Sequence, residues 1–98
     1  MSLPILLRPE AKADLLAARD WYEQQRAGLG DEFAEAVEQL LARIQIFPEL
    51  YGVLLSKVRG GKLRRFPYVL YYRALPDRIE VLAVLHGSRN PPPWLRRL

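Results

Sequence analysis

The chain has 98 residues, 50% of them hydrophobic, which suffices for one domain (1–98) built around one core. With no cysteine and a single histidine, disulfides and thiolate metal sites are excluded and neither a metal nor a cofactor is expected. The net charge of +4 is unevenly spread: residues 1–48 hold 5 Lys/Arg and 8 Asp/Glu, residues 49–98 hold 10 and 3, so a polyanionic or acidic partner is expected to meet the second half.

Leu3 to Arg8 is a short apolar run containing Pro4, which cannot donate to a ladder and marks an edge strand. Pro9 suits the first turn of a helix, predicted to run to about Gln25. Ala11, Leu15, Ala18 and Tyr22 form its apolar stripe, with Asp14, Arg19 and Glu23 placed away from it. Trp21 sits beside the stripe, where it packs at a seam or meets a partner. Arg26 to Gly30 reads as a two-glycine turn that sends the next helix back antiparallel. Asp31, Glu32 and Glu35 open that helix where negative charge suits the dipole. Phe33, Val37, Leu40, Leu41, Ile44 and Phe47 carry its buried face, and Pro48 ends it. The acidic residues of this hairpin are expected to be a solvated face.

Tyr51 is the expected anchor of a short connector, and Gly60-Gly61 marks a bend or bulge before the sheet. Three strands are then predicted. Lys62 to Phe66 comes first, with Lys62 and Arg64 pointing away from the helices and Leu63 toward them. Tyr68 to Leu75 and Arg78 to His86 follow, joined by a Pro76-Asp77 turn and apolar enough to lie at the sheet centre. Polar and basic groups gather at the end of the last strand: His86, then Gly87, Ser88 and Arg89. No apolar run of membrane-spanning length and no charged-then-apolar leader occurs, so a cytoplasmic protein is expected.

An edge strand, a helical hairpin and a three-stranded antiparallel meander are thus in hand, an α+β fold with one twisted sheet and a short C-terminal turn. With them come Trp21-Tyr22, Leu29-Gly30, Phe33, Pro48, Arg65-Phe66-Pro67-Tyr68, Tyr71-Tyr72, Val84-Leu85-His86, Arg89-Asn90-Pro91 and Trp94. In that order and spacing, across almost the whole chain, they resemble the RelE/ParE superfamily of type II toxin–antitoxin toxins and plasmid-stabilisation proteins, closer to ParE. The resemblance implies a growth-inhibiting toxin silenced by a cognate antitoxin, with the free toxin monomeric and the complex oligomeric. It leaves the target open, since the superfamily holds both gyrase poisons and ribosome-dependent mRNA endonucleases.

Metal-free RNA cleavage needs an activated 2′-hydroxyl, a protonated leaving oxygen and a neutralised phosphorane. His86 as acid or base, Arg89 as phosphate clamp, and Lys62 and Arg64 are the candidates. Val69 stands where such nucleases often carry a substrate-facing arginine, and Gly60 where they carry a lysine. A ParE-like, non-hydrolytic inhibitor of gyrase is therefore the favoured expectation. An mRNA endonuclease and an inactive homologue that only binds its antitoxin are the alternatives. Arg59, Arg65, Tyr71 and Arg73 are candidate target or nucleic-acid contacts. Trp21, Tyr22 and Trp94 are candidate antitoxin contacts, for an acidic amphipathic tail laid along the helical seam. Against these stand simpler roles: His86 capping a carbonyl, Arg64-Arg65 as a charged edge, the tyrosines as sheet packing. Ser88 beside His86 does not make a hydrolase, because the nearest acid on that strand, Asp77, lies about 30 Å away at its other end.

Overall fold

The computed structural model describes residues 3–88 and Arg97. Strand β1 (Ile5–Leu7) leads through Arg8 into helix α1 (Pro9–Gln25), and α2 (Leu29–Ile46) returns antiparallel. Strands β2 (Val53–Leu55), β3 (Val58–Lys62), β4 (Tyr68–Ala74) and β5 (Ile79–His86) complete one sheet in the order β1-β5-β4-β3-β2. The α+β architecture is as expected, including β1 at an edge and β4 and β5 at the centre.

The helical hairpin closes through glycine and one carboxylate. Gly28 takes φ 89° at the turn, where a side chain would be strained. Glu23, reaching back from α1, accepts the Gly28 and Gly30 N–H groups at 3.0 Å each and so caps α2 in place of a side chain from the N-cap itself. Gly30 is a point of close helix approach: a Cβ there would lie 2.8 Å from the Arg19 carbonyl oxygen. The turn is shorter than predicted, since Leu29 and Gly30 already belong to α2.

Ala11, Ala18, Phe33, Val37, Leu40 and Ile44 from the helices pack on Leu70, Tyr72, Ile79, Val81 and Val84 from the sheet. Each large side chain fully removed from water contributes about 1.5–3 kcal/mol, so this layer is the fold's main stabiliser. The Tyr72 hydroxyl donates to the Pro48 carbonyl at 2.7 Å, which fastens the end of α2 to the sheet. Burial pushes that phenol above its ordinary pKa. Phe47, expected in the buried face, is instead exposed beyond the helix end.

The meander begins earlier than predicted. Its first strand is Val58–Lys62, so Gly60 and Gly61 lie inside it. They are there for proximity: a Cβ on Gly61 would meet Leu40 and Tyr51 at 3.3 Å, and one on Gly60 would meet Leu54 at 3.0 Å. A further strand, β2, pairs with β3 through a two-residue turn in which Ser56 and Lys57 both have positive φ (50° and 64°). Leu63 does face the core, as expected, but Leu63 to Pro67 is a connection in which Arg65 adopts φ 70°.

Candidate functional site

Pairing register fixes which face each residue serves. Leu70 stands opposite Val84 and Tyr72 opposite Val81, toward the helices; Val69 stands opposite Leu85 and Tyr71 opposite Ala83, on the other face. A bulge between Tyr71 and Tyr72 keeps both faces apolar. The outer face is therefore a second hydrophobic cluster of Val58, Tyr71, Leu82, Ala83 and Leu85, with Val69 against it, not a cationic platform.

The predicted basic contacts are dispersed around that sheet. Arg59 stands opposite Tyr72 on the helix side, and its guanidinium donates to the carbonyls of Tyr51 (2.7 Å) and Glu49 (3.3 Å), pinning the connector. Arg65 pairs with Glu32 of α2 at 2.7 Å, and this hydrogen bond, with that of Arg26, holds the Glu32 carboxyl below its usual range. Arg73 is bound by its cross-strand neighbour Glu80 through Nε at 3.1 Å. Arg64 lies beside Gln39 and Ala36 of α2 and not on the outer face. Lys62 stands opposite Val69 and so belongs to the outer face, as expected. Among the described residues Lys62 and Arg64 form no ion pair.

His86 ends β5 opposite Tyr68, on the helix-facing side, and its ring meets Tyr68 edge-on at 5.5 Å. Tyr68 in turn contacts Phe33 (5.2 Å) and Tyr22 (6.0 Å), and Tyr22 carries Trp21 edge-on at 5.0 Å. An aromatic chain thus runs from the core to the rim. Phe66 joins it 4.9 Å from Tyr22, placed there by the kink at Arg65. Burial raises the Tyr22 phenol above its ordinary pKa, with the neighbouring Tyr68 adding to it. Trp21 remains 54% exposed, the most exposed aromatic on either helix.

Together Trp21, Tyr22, Pro67, Tyr68 and His86 line a hollow of about 420 Å³. A second hollow of about 270 Å³ shares Trp21, Tyr68 and His86 and continues along the seam between α1 and β5 to Asp14. The Ser88 hydroxyl lies 2.7 Å from His86 Nδ1, and the Ser88 backbone N–H donates to the same nitrogen at 3.2 Å. Nδ1 is thereby an acceptor, and no carboxylate among the described residues orients the ring. The three described nuclease candidates do not converge: His86 is on one face, Lys62 on the other and Arg64 beside α2; Arg89 lies outside the described residues. So does Trp94.

Two residues at the seam were not foreseen as functional. Asp14, assigned to the solvated side of α1, faces β5: it accepts the Val84 N–H at 3.2 Å and pairs with Arg97 at 2.6 Å. Arg97 also donates to the Leu82 carbonyl at 3.1 Å, and Arg8 donates to the Arg97 carbonyl at 2.7 Å. β1 pairs with β5 only through Val81, so this pair satisfies ladder groups that β1 is too short to reach. Asp14 sits three residues after Ala11 and four before Ala18, a spacing that places it on the buried face. Among the described residues no group of three or more His, Cys, Asp or Glu could hold a metal, and no helix is long and apolar enough to cross a membrane.

A family profile described as "ParE toxin of type II toxin-antitoxin system, parDE" matches residues 5–91. The chain belongs to this ParE toxin family. Within the RelE/ParE superfamily it lies close to ParE, as its sequence marks implied. Two curated relatives, both called Toxin ParE2, come from Mycobacterium tuberculosis strains CDC 1551 / Oshkosh and ATCC 25618 / H37Rv. Each is 36% identical over 55 residues, which is 56% of this chain and 52% of the relative, so the chain spans about half the length of the curated relatives it matches. A solved chain from the "Chromosomal ParDE TA system from P. aeruginosa" shares the fold, with a TM-score of 0.64 at 20% identity over 87% of this chain and 96% of that one.

Proposed function

We propose that this ParE-family chain inhibits growth by binding, not by hydrolysis, with DNA gyrase as its target and a cognate antitoxin as its silencer. The observation that carries the non-hydrolytic reading is the divergence of the basic candidates. General acid–base cleavage requires its groups within hydrogen-bond reach of one phosphate. Lys62 and His86 stand on opposite faces of the sheet, and Arg65 and Arg73 are each engaged by a carboxylate of the same chain. Gyrase as the target rests on the ParE likeness.

The test is paired. Gyrase supercoiling is measured with the purified chain, and transcript ends are mapped after its induction in cells. Inhibited supercoiling with intact transcripts supports the proposal; codon-phased cuts with unaffected gyrase would replace it with mRNA cleavage.

For the antitoxin, the supporting feature is the aromatic hollow beside α1. Trp21 is an exposed, rigid anchor next to a groove, the type of residue that dominates binding energies. An amphipathic tail laid along the α1–β5 seam would bury Trp21 and Tyr22. Trp21→Ala is expected to weaken antitoxin affinity by about thirty-fold, from a hot-spot contribution of about 2 kcal/mol. Unchanged affinity by calorimetry would remove the seam from the interface.

A further inference from the structure

Among the described residues, exposed apolar side chains gather at the end of the sheet away from the rim. Ile46, Phe47 and Leu50 after α2, and all three residues of β2, Val53, Leu54 and Leu55, are each more than half exposed. β2 is also the outermost strand, with one side of its backbone facing away from the sheet. Natural edge strands are protected by charge or proline. This one carries neither; among the described residues its guards are its shortness and a bulge.

We propose that β2 is a self-association edge: two copies of this chain pair β2 with β2, antiparallel, about a two-fold axis at Leu54. The strand is self-complementary in that arrangement. Leu54 stands opposite Leu54 and Val53 opposite Leu55, so every cross-strand pair is apolar and no like charges meet. Charge favours a second copy over a strongly acidic partner: one Glu49 and one Lys57 border the hollow beside the patch, whereas the unpaired Lys62 and Arg64 lie toward the other end of β3. With Leu54 on the axis, each hairpin tip at Lys57 lies opposite position 51 of the other copy, bringing it toward the Glu49 loop. On this proposal the free chain is a dimer in place of the expected monomer.

Because the chain has no cysteine, the register can be read directly. Directly opposed residues of an antiparallel pair have Cα atoms about 4.5–5.5 Å apart, within disulfide range. Leu54→Cys is expected to give an intermolecular disulfide under mild oxidation, and Leu16→Cys, an equally exposed leucine on α1, is expected not to. In sedimentation velocity over a concentration series the wild-type chain should show a discrete dimer, and Leu54→Lys should raise its dissociation constant at least tenfold with unchanged circular dichroism. A wild-type chain monomeric throughout, equal crosslinking of both cysteine variants, or polydisperse aggregation in place of a dimer would each overturn the proposal. So would a monomeric chain whose antitoxin binding is lost in Leu54→Lys, which would assign the edge to that partner.

Discussion

Removing the Asp14 carboxylate disturbs three groups at once. Asp14→Ala leaves the Val84 N–H without its acceptor, strips Arg97 of its partner, and frees the hold of Arg97 on the Leu82 carbonyl. An unsatisfied buried N–H costs about 1–3 kcal/mol. Breaking a fully buried ion pair costs about 3–5 kcal/mol, but the Arg97 side chain keeps 19% exposure and can turn to water, so about 1 kcal/mol remains for this pair. Taken together, Asp14→Ala is expected to lose about 2–4 kcal/mol. Asp14→Asn, which keeps an oxygen for Val84 but loses the charge, should lose about half as much. In a domain of this size each kcal/mol moves Tm by about 4–8 °C. Urea unfolding followed by circular dichroism resolves these values, and a cycle with Arg97→Ala should return a coupling of about 1–2 kcal/mol. A loss below about 0.5 kcal/mol for Asp14→Ala would refute the assignment of Asp14 to the open edge of β5.

Gly30→Ala should destabilise by about 1–3 kcal/mol despite alanine's better helix propensity, because the new Cβ meets the Arg19 backbone oxygen; a Tm equal to or above wild type would contradict the close approach. Tyr72→Phe should cost about 1–2 kcal/mol in urea unfolding, by leaving the Pro48 carbonyl without its donor. The Glu32 carboxyl is held below its usual pKa in the fold, so its stabilising effect is present above the unfolded carboxylate value and lost as pH falls through the folded one. Wild type should therefore exceed Glu32→Gln in Tm near neutrality, and the gap should close as pH falls through the folded-state value; a gap independent of pH would exclude the Arg65 and Arg26 pairing as its cause.

Periodicity carried most of the fold. Pro9, the stripe through Ala18 and Tyr22, Pro48, and the two apolar strands flanking Pro76-Asp77 each state a local preference that the tertiary structure keeps. β2 was hidden because its hairpin turn is Ser56-Lys57, which lacks the glycine or asparagine that announces positive φ. Gly60 and Gly61 suggested a bend because their reason for being glycine is the closeness of Leu54, Leu40 and Tyr51, contacts made from distant parts of the chain. The rim was legible in part. His86 could be placed at a strand end from sequence, and its partnership with Tyr68 follows from register, whereas the hollow it shares with Trp21 depends on how α1 packs on the sheet. A count of charges does not say which are already matched within the chain: Arg65 by Glu32, Arg73 by Glu80, Arg59 by two carbonyls. Asp14 could have been found from its spacing alone, but its acidity argued for solvent.

Action by binding makes a direct demand on the residues that a nuclease would need. In a strain lacking the antitoxin, induction of the Lys62→Ala, Arg64→Ala, His86→Ala triple variant should inhibit growth to within a few-fold of wild type at equal expression. Loss of toxicity by orders of magnitude in a variant that still folds and binds antitoxin would contradict it, and would return these side chains to a catalytic role.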